Sequence, residues 1–145
     1  MIDHFTLKVS DYQRSKDFYV KALAPLEYAP VMEFPNMGGF GAKGHPDLWL
    51  SQDPENTRAA HVAFRAADRP AVDAFYAAAM AAGGRDNGPP GIRSDYHPNY
   101  YGAFVLDPDG HNIEAVCHAP ERAARLVRKK VRPARKRARA KRRSR

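Results

Sequence analysis

Residues 60–83 read AHVAFRAADRPAVDAFYAAAMAAG, and they lie over residues 3–26, DHFTLKVSDYQRSKDFYVKALAPL, without a gap. His61 falls on His4, Asp68 on Asp11, Phe75-Tyr76 on Phe18-Tyr19 and Ala79 on Ala22. The first copy opens with an alternating stretch, Phe5, Leu7 and Val9 against His4, Thr6 and Lys8, the period of a half-buried strand. Ser10 or Asp11 then caps a helix to about Leu26, whose stripe is Phe18, Tyr19, Ala22, Leu23 and Leu26. In the second copy Asp68 is the cap, the stripe is Val72, Phe75, Tyr76, Ala79 and Met80, and Gly83-Gly84 ends the helix.

Three strand-like pieces follow the first helix: "EYAPVMEF", "GGFGAKG" and "DLWLSQ". After the second comes a looser region to about Asp95 with room for one edge strand. The hairpin "YYGAFVLDPDGHNIEAV" (100–116) then turns at Asp107-Pro108-Asp109-Gly110. The chain thus reads as two β-α-β-β-β copies, about 1–54 and 58–119, within one domain over 1–120. Helical connections demand parallel neighbours and hairpins antiparallel ones. The expected fold is α+β: a mixed-sheet cup built from two βαβββ modules, with helices on its outer face.

Charge divides the chain. Residues 121–145 hold fourteen Lys/Arg and one Glu, a net +13, within a chain total of +8; residues 1–120 therefore carry −5. This tail reads as a disordered, extended cation that would bind nucleic acid or another polyanion with strong salt dependence. The lone Cys117 forms no internal disulfide, no apolar run reaches a membrane span, and no basic-then-apolar leader opens the sequence. A cytoplasmic protein is expected.

The chemistry begins with a carboxylate inside a strand. Along 112–117 the period of two puts Ile113, Ala115 and Cys117 on the apolar, helix-covered face. Asn112, Glu114 and Val116 share the other face, the one that carries His4 and His61 in the opening strands. Two imidazoles and a carboxylate on rigid strands suit a divalent transition metal with open positions. Lys8 and Arg65 share that parity and offer charge to an anion, or reach the rim as solvated cations. Cys117, on the covered face, is expected to pack rather than react.

"DHFTLKV", "HVAF" and above all "LDPDGHNIEAV" resemble the vicinal oxygen chelate superfamily, which includes glyoxalase I, extradiol dioxygenases, fosfomycin resistance proteins and metal-free bleomycin-binding proteins. The resemblance covers residues 1 to about 119. It implies a metal (Zn, Mn, Fe or Ni) held by His4, His61 and Glu114. It also implies a homodimer in which His4 comes from one subunit and the other two ligands from its partner, or a monomer whose modules close on each other. Glyoxalase I adds a fourth ligand, a glutamate; matching "DLWLSQ" to "HNIEAV" puts Trp49 there, which weakens that activity.

The fosfomycin-modifying group is similar at His4-x-Thr6, "LWLS" and "LDPDGHNIEA", but Phe104 stands where that group has a tyrosine. In "YHPNYYG", His97 and Tyr101 are candidate proton carriers; Thr6, Trp49, Tyr100 and Phe104 are candidate substrate contacts. The leading expectation is a metal-dependent lyase, isomerase, thiol transferase or dioxygenase acting on a small oxygenated substrate. The alternatives are a metal-free small-molecule binding protein of the bleomycin resistance type, and a polyanion-binding protein acting through its tail.

Overall fold

A computed structural model describes residues 2–120; the basic tail lies outside the described residues, and with it the polyanion expectation. The first module runs β1 (Phe5–Val9), α1 (Tyr12–Leu23), a 3-10 turn (Ala24–Leu26), β2 (Ala29–Phe34), β3 (Met37–Gly41) and β4 (Leu48–Gln52). The second runs β5 (His61–Arg65), α2 (Arg69–Ala81), β6 (Arg85–Ile92), β7 (Tyr101–Leu106) and β8 (Asn112–Cys117). Each forms a four-stranded mixed sheet, ordered β1-β4-β3-β2 and β5-β8-β7-β6. The first and last strands of each module pair in parallel, and hairpins supply the antiparallel pairs. The expected α+β architecture of two βαβββ modules is what is found.

Both helices start where their caps predict. Asp11 accepts from the Arg14 amide at 2.9 Å and Asp68 from the Ala71 amide at 3.0 Å, satisfying donors that the first turn leaves open. The first helix stops short of Leu26 because Pro25 lies in the tighter turn that follows. The looser region before Asp95 holds one edge strand, β6, which takes in Pro89 and Pro90. An edge is where a sheet tolerates residues without an N–H.

One core joins the modules. Leu7, Val9, Phe18, Tyr19, Leu50, Phe64, Phe75, Val105 and Ile113 belong to a single apolar cluster, and α1 packs on α2. The helix-covered faces of both sheets thus look toward a shared interior, and the uncovered face of each turns away from it. Phe5 departs from its strand's pattern: it is 42 % exposed, whereas Leu7 and Val9 are buried.

The DPDG turn does more than reverse the chain. Asp107 accepts from the Tyr19 hydroxyl of α1 at 2.8 Å, and from the amides of Asp109 and His111. Asp109 accepts from the Ser10 amide at 3.1 Å and from the Arg14 guanidinium at 2.9 Å. His111 is buried; its Nδ1 accepts from the Ala60 amide and its Nε2 donates to the Lys8 carbonyl at 3.0 Å. These bonds bolt the last hairpin of module two to the first strand and helix of module one.

Candidate functional site

The uncovered face of the second sheet gathers the polar groups. The register sets Ala63, Glu114 and Phe104 side by side across β5, β8 and β7, with Gly88 of β6 next in line. Glu114 is only 1 % exposed. Its Oε2 accepts from His61 Nε2 at 2.9 Å, and its Oε1 accepts a short hydrogen bond from the Tyr100 hydroxyl. Gly102 makes room for this: a Cβ there would lie 3.1 Å from the Tyr100 ring and 3.2 Å from Glu114 Oε1. The His61 ring lies 6.2 Å from the Phe104 ring, which floors the cup beside the carboxylate.

Burial, then the bond to Glu114, push the Tyr100 phenol up to about 12. Tyr100 is therefore a donor, not a base, at neutral pH. Tyr28 is raised to about 12 in the same way, by burial and its bond to Asp47. Both folded values exceed the unfolded value of about 10. Their contribution is complete below pH ~10 and lost as pH rises toward ~12. Urea midpoints measured from pH 8 to 12 should fall above pH 10, less steeply in Tyr100→Phe; an unchanged slope in that variant would contradict this.

The other expected site residues are distributed as follows. His4 sits just before β1, its side chain 58 % exposed, with Nδ1 bonded to Asp3 at 2.8 Å. Among the described residues no three His, Cys, Asp or Glu gather as a metal-ligand group, so one chain does not bring His4 to His61 and Glu114. Thr6 and Trp49 face each other across β1 and β4, and the indole lies over Gly39, whose Cβ would come within 3.1 Å of it. Thr6 is the repeat counterpart of Ala63, the partner of Glu114, so Trp49 holds the pseudo-equivalent position to that carboxylate.

Tyr101 takes the opposite side of its sheet from Phe104. Its hydroxyl donates to Asp73 of α2 at 2.7 Å and its ring carries the Arg69 guanidinium, away from Glu114. His97 is exposed; its Nδ1 accepts from the Asn99 amide, and its ring packs edge-on to His118. Lys8 pairs with Asp53 at 3.5 Å. Sequence reasoning missed Arg93, whose guanidinium covers the Phe104 ring at 5.5 Å.

The family model of the Glyoxalase/Bleomycin resistance protein/Dioxygenase superfamily matches residues 1–115. The chain belongs to that superfamily. Among solved structures, a glyoxalase/bleomycin resistance protein from Albidiferax ferrireducens T118 is similar at 27 % identity and a TM-score of 0.69, over 81 % of this chain and 98 % of that one. A mutant glyoxalase I from Zea mays is similar at 25 % identity and a TM-score of 0.62, over 79 % of this chain but 46 % of that one. Lactoylglutathione lyase from Agrobacterium tumefaciens shares the fold at 20 % identity and a TM-score of 0.61, over 81 % and 92 %. No curated protein matches the chain. No helix among the described residues of this superfamily member is long and apolar enough to cross a membrane.

Proposed function

We propose that the chain is a metal-dependent enzyme of this superfamily acting on a small oxygenated substrate, with a site completed across a homodimer. The observation that carries the reading is a strand carboxylate, buried to 1 % exposure, facing an imidazole 2.9 Å away. Donor atoms that bind one cation at ~2.1 Å and near right angles lie about 3 Å apart, so the pair fits two of the three positions of a two-His, one-carboxylate site. His4 fits the missing position: its Nδ1 is held by Asp3, as the second nitrogen of a ligating imidazole usually is, which leaves Nε2 free to point outward. Since the uncovered faces turn away from the shared core, a second copy is the source of that histidine.

His61, Glu114 and the partner copy's equivalent of His4 would hold a divalent cation, which would supply Lewis acidity toward the oxygens of a substrate. The chain's own residues do the rest. Glu114 contributes negative charge from a buried carboxylate beside a half-exposed imidazole. Tyr100 stays protonated and holds the carboxylate's other oxygen, fixing its orientation. Phe104 and, from the first module of the partner copy, the equivalents of Thr6 and Trp49 offer walls for an apolar ligand body. His97 would need its loop to shift before it carried a proton to the cup.

A specific observation favours a second reading, a metal-free small-molecule binding protein. Both Glu114 oxygens already receive donors, from His61 and Tyr100, so its charge is compensated without a cation.

Metal content of untagged protein, measured by mass spectrometry beside His61→Ala, tests the two. Near one equivalent of Zn, Mn, Fe or Ni per chain, lost in the variant, is expected for the enzyme. Iron would then point to dioxygenation, zinc or nickel to isomerisation, and manganese to thiol or water addition. Protein that stays metal-free after incubation with each ion at neutral pH would leave the binding protein.

A further inference from the structure

We propose that Arg93 is the specificity residue of the cup and that the ligand is an acid. Its guanidinium receives a carboxylate while neighbouring oxygens of the same small molecule meet Glu114. This rests on the reading of the cup as the ligand site and adds to it the charge class of the ligand.

Arg93 follows the last residue of β6 and folds back over that strand. It lies across two positions that have no side chain. A Cβ at Gly91 would come 3.1 Å from its Nη1, and one at Gly88 would come 3.3 Å from its Nη2 and 3.0 Å from the Phe104 ring. The two glycines thus form a cradle that sets the guanidinium over Phe104, 5.5 Å from the ring centroid. Nη2 is anchored to the Pro89 carbonyl at 2.7 Å. Among the described residues no carboxylate lies within ion-pair distance of Arg93, whereas Lys8, Arg14 and Lys16 each have one.

A half-buried guanidinium that is oriented but not neutralised is a built anion receptor, because its fork matches a carboxylate with two parallel bonds. Its placement sets ligand size. Phe104 lies between Arg93 and the Glu114–His61 pair, on the strand next to Glu114. With strands about 4.8 Å apart, the two recognition points are roughly one to two strand spacings apart. That is the reach of a small acid with a flat or short body lying on Phe104, not of a peptide. In the metal-free cup Glu114 would repel a carboxylate at its own end, which fixes the anion's orientation.

The test compares matched probes differing only in the carboxylate: catechol with 3,4-dihydroxybenzoate, and propane-1,2-diol with glycerate. Affinities are measured by calorimetry on the full chain, metal-loaded if it takes metal, at about 0.15 M salt, where exposed charges are largely screened. The acid of at least one pair is expected to bind about 10- to 100-fold more tightly than its neutral partner, the worth of a charge-assisted fork. Arg93→Met, which keeps apolar cover on Phe104, should abolish that preference, so that the acid falls to the affinity of its neutral partner in the same variant. Arg93→Lys should keep only part of it.

Both variants keep the basic tail. A preference for the acid that persists in Arg93→Met comes from another cation and overturns the assignment. Equal binding of acid and neutral partner by the wild type overturns it too, while the cup reading stands. Loss of both partners in Glu114→Gln is the separate mark of the cup; if no probe binds the wild type, cup and Arg93 assignments fail together.

Discussion

Urea unfolding of Asp107→Ala is expected to show a loss of about 2–4 kcal/mol, one of the largest effects of any polar substitution in this chain. Three donors lose their acceptor together: the fully buried Tyr19 hydroxyl and the amides of His111 and Asp109. Each donor left dry costs ~1–3 kcal/mol, and part of the sum is returned because the carboxylate itself no longer has to be buried. That burial cost is visible as an Asp107 pKa raised by desolvation, against the bonds from Tyr19 and His111. A loss below ~1 kcal/mol would mean that the turn is ornamental and that the shared apolar core alone holds the modules together.

The two aspartates of this turn should act oppositely in acid. At Asp109 burial favours the neutral form, but the Ser10 bonds and the Arg14 guanidinium outweigh it and lower the pKa. Its stabilisation is full above the unfolded value of about 3.9 and is lost as pH falls through the lower folded value. Asp107, with its raised pKa, takes up its proton first in the folded state, so acidification favours the fold through that group. Asp109→Asn should therefore flatten the acid limb of stability against pH, and Asp107→Asn should steepen it.

That latch shows where sequence reading stops. The strands, both helices and both caps were legible because their signals are local: a period of two, a period near four, an aspartate before a helix. The repeat added tertiary information, since matching patterns in the two halves must bury matching faces. Asp107 and His111 carried no such signal. Their partners Tyr19 and Lys8 lie 88 and 103 residues away, so they looked like ordinary turn residues. Parity read Glu114 and His61 onto one face and the structure sets them in contact, but parity is silent about which molecule His4 meets. Tyr100 and Tyr101 show the same limit at single-residue scale. Neighbours in sequence, they point to opposite faces, one to Glu114 and one to Asp73. Arg93 was invisible for a further reason: its position depends on two glycines with no side chains to read.

Glu114→Gln is the substitution expected to cost most in function and little in fold. Glutamine keeps the size of the side chain, an acceptor for Tyr100 and a polar atom toward His61, so unfolding should shift by less than ~1 kcal/mol. What it removes is the charge. If the site holds a divalent cation, losing a buried carboxylate ligand should weaken metal affinity at least ~100-fold, and Tyr100→Phe, which removes the bond that orients that carboxylate, should weaken it about 10- to 100-fold. If the cup is a metal-free receptor, there is no metal affinity to lose. Glu114→Gln then only relieves a buried charge and withdraws the acceptor that ligand hydroxyls meet, while Tyr100→Phe strips the carboxylate of a donor and destabilises the protein. Metal titrations and urea unfolding on the same two variants separate these outcomes, because both variants lose metal affinity in one case, and in the other Tyr100→Phe loses only stability. A Glu114→Gln protein that bound every ion and probe like the wild type would remove Glu114 from the site altogether, and the buried carboxylate would then serve only to hold His61 and Tyr100 in place.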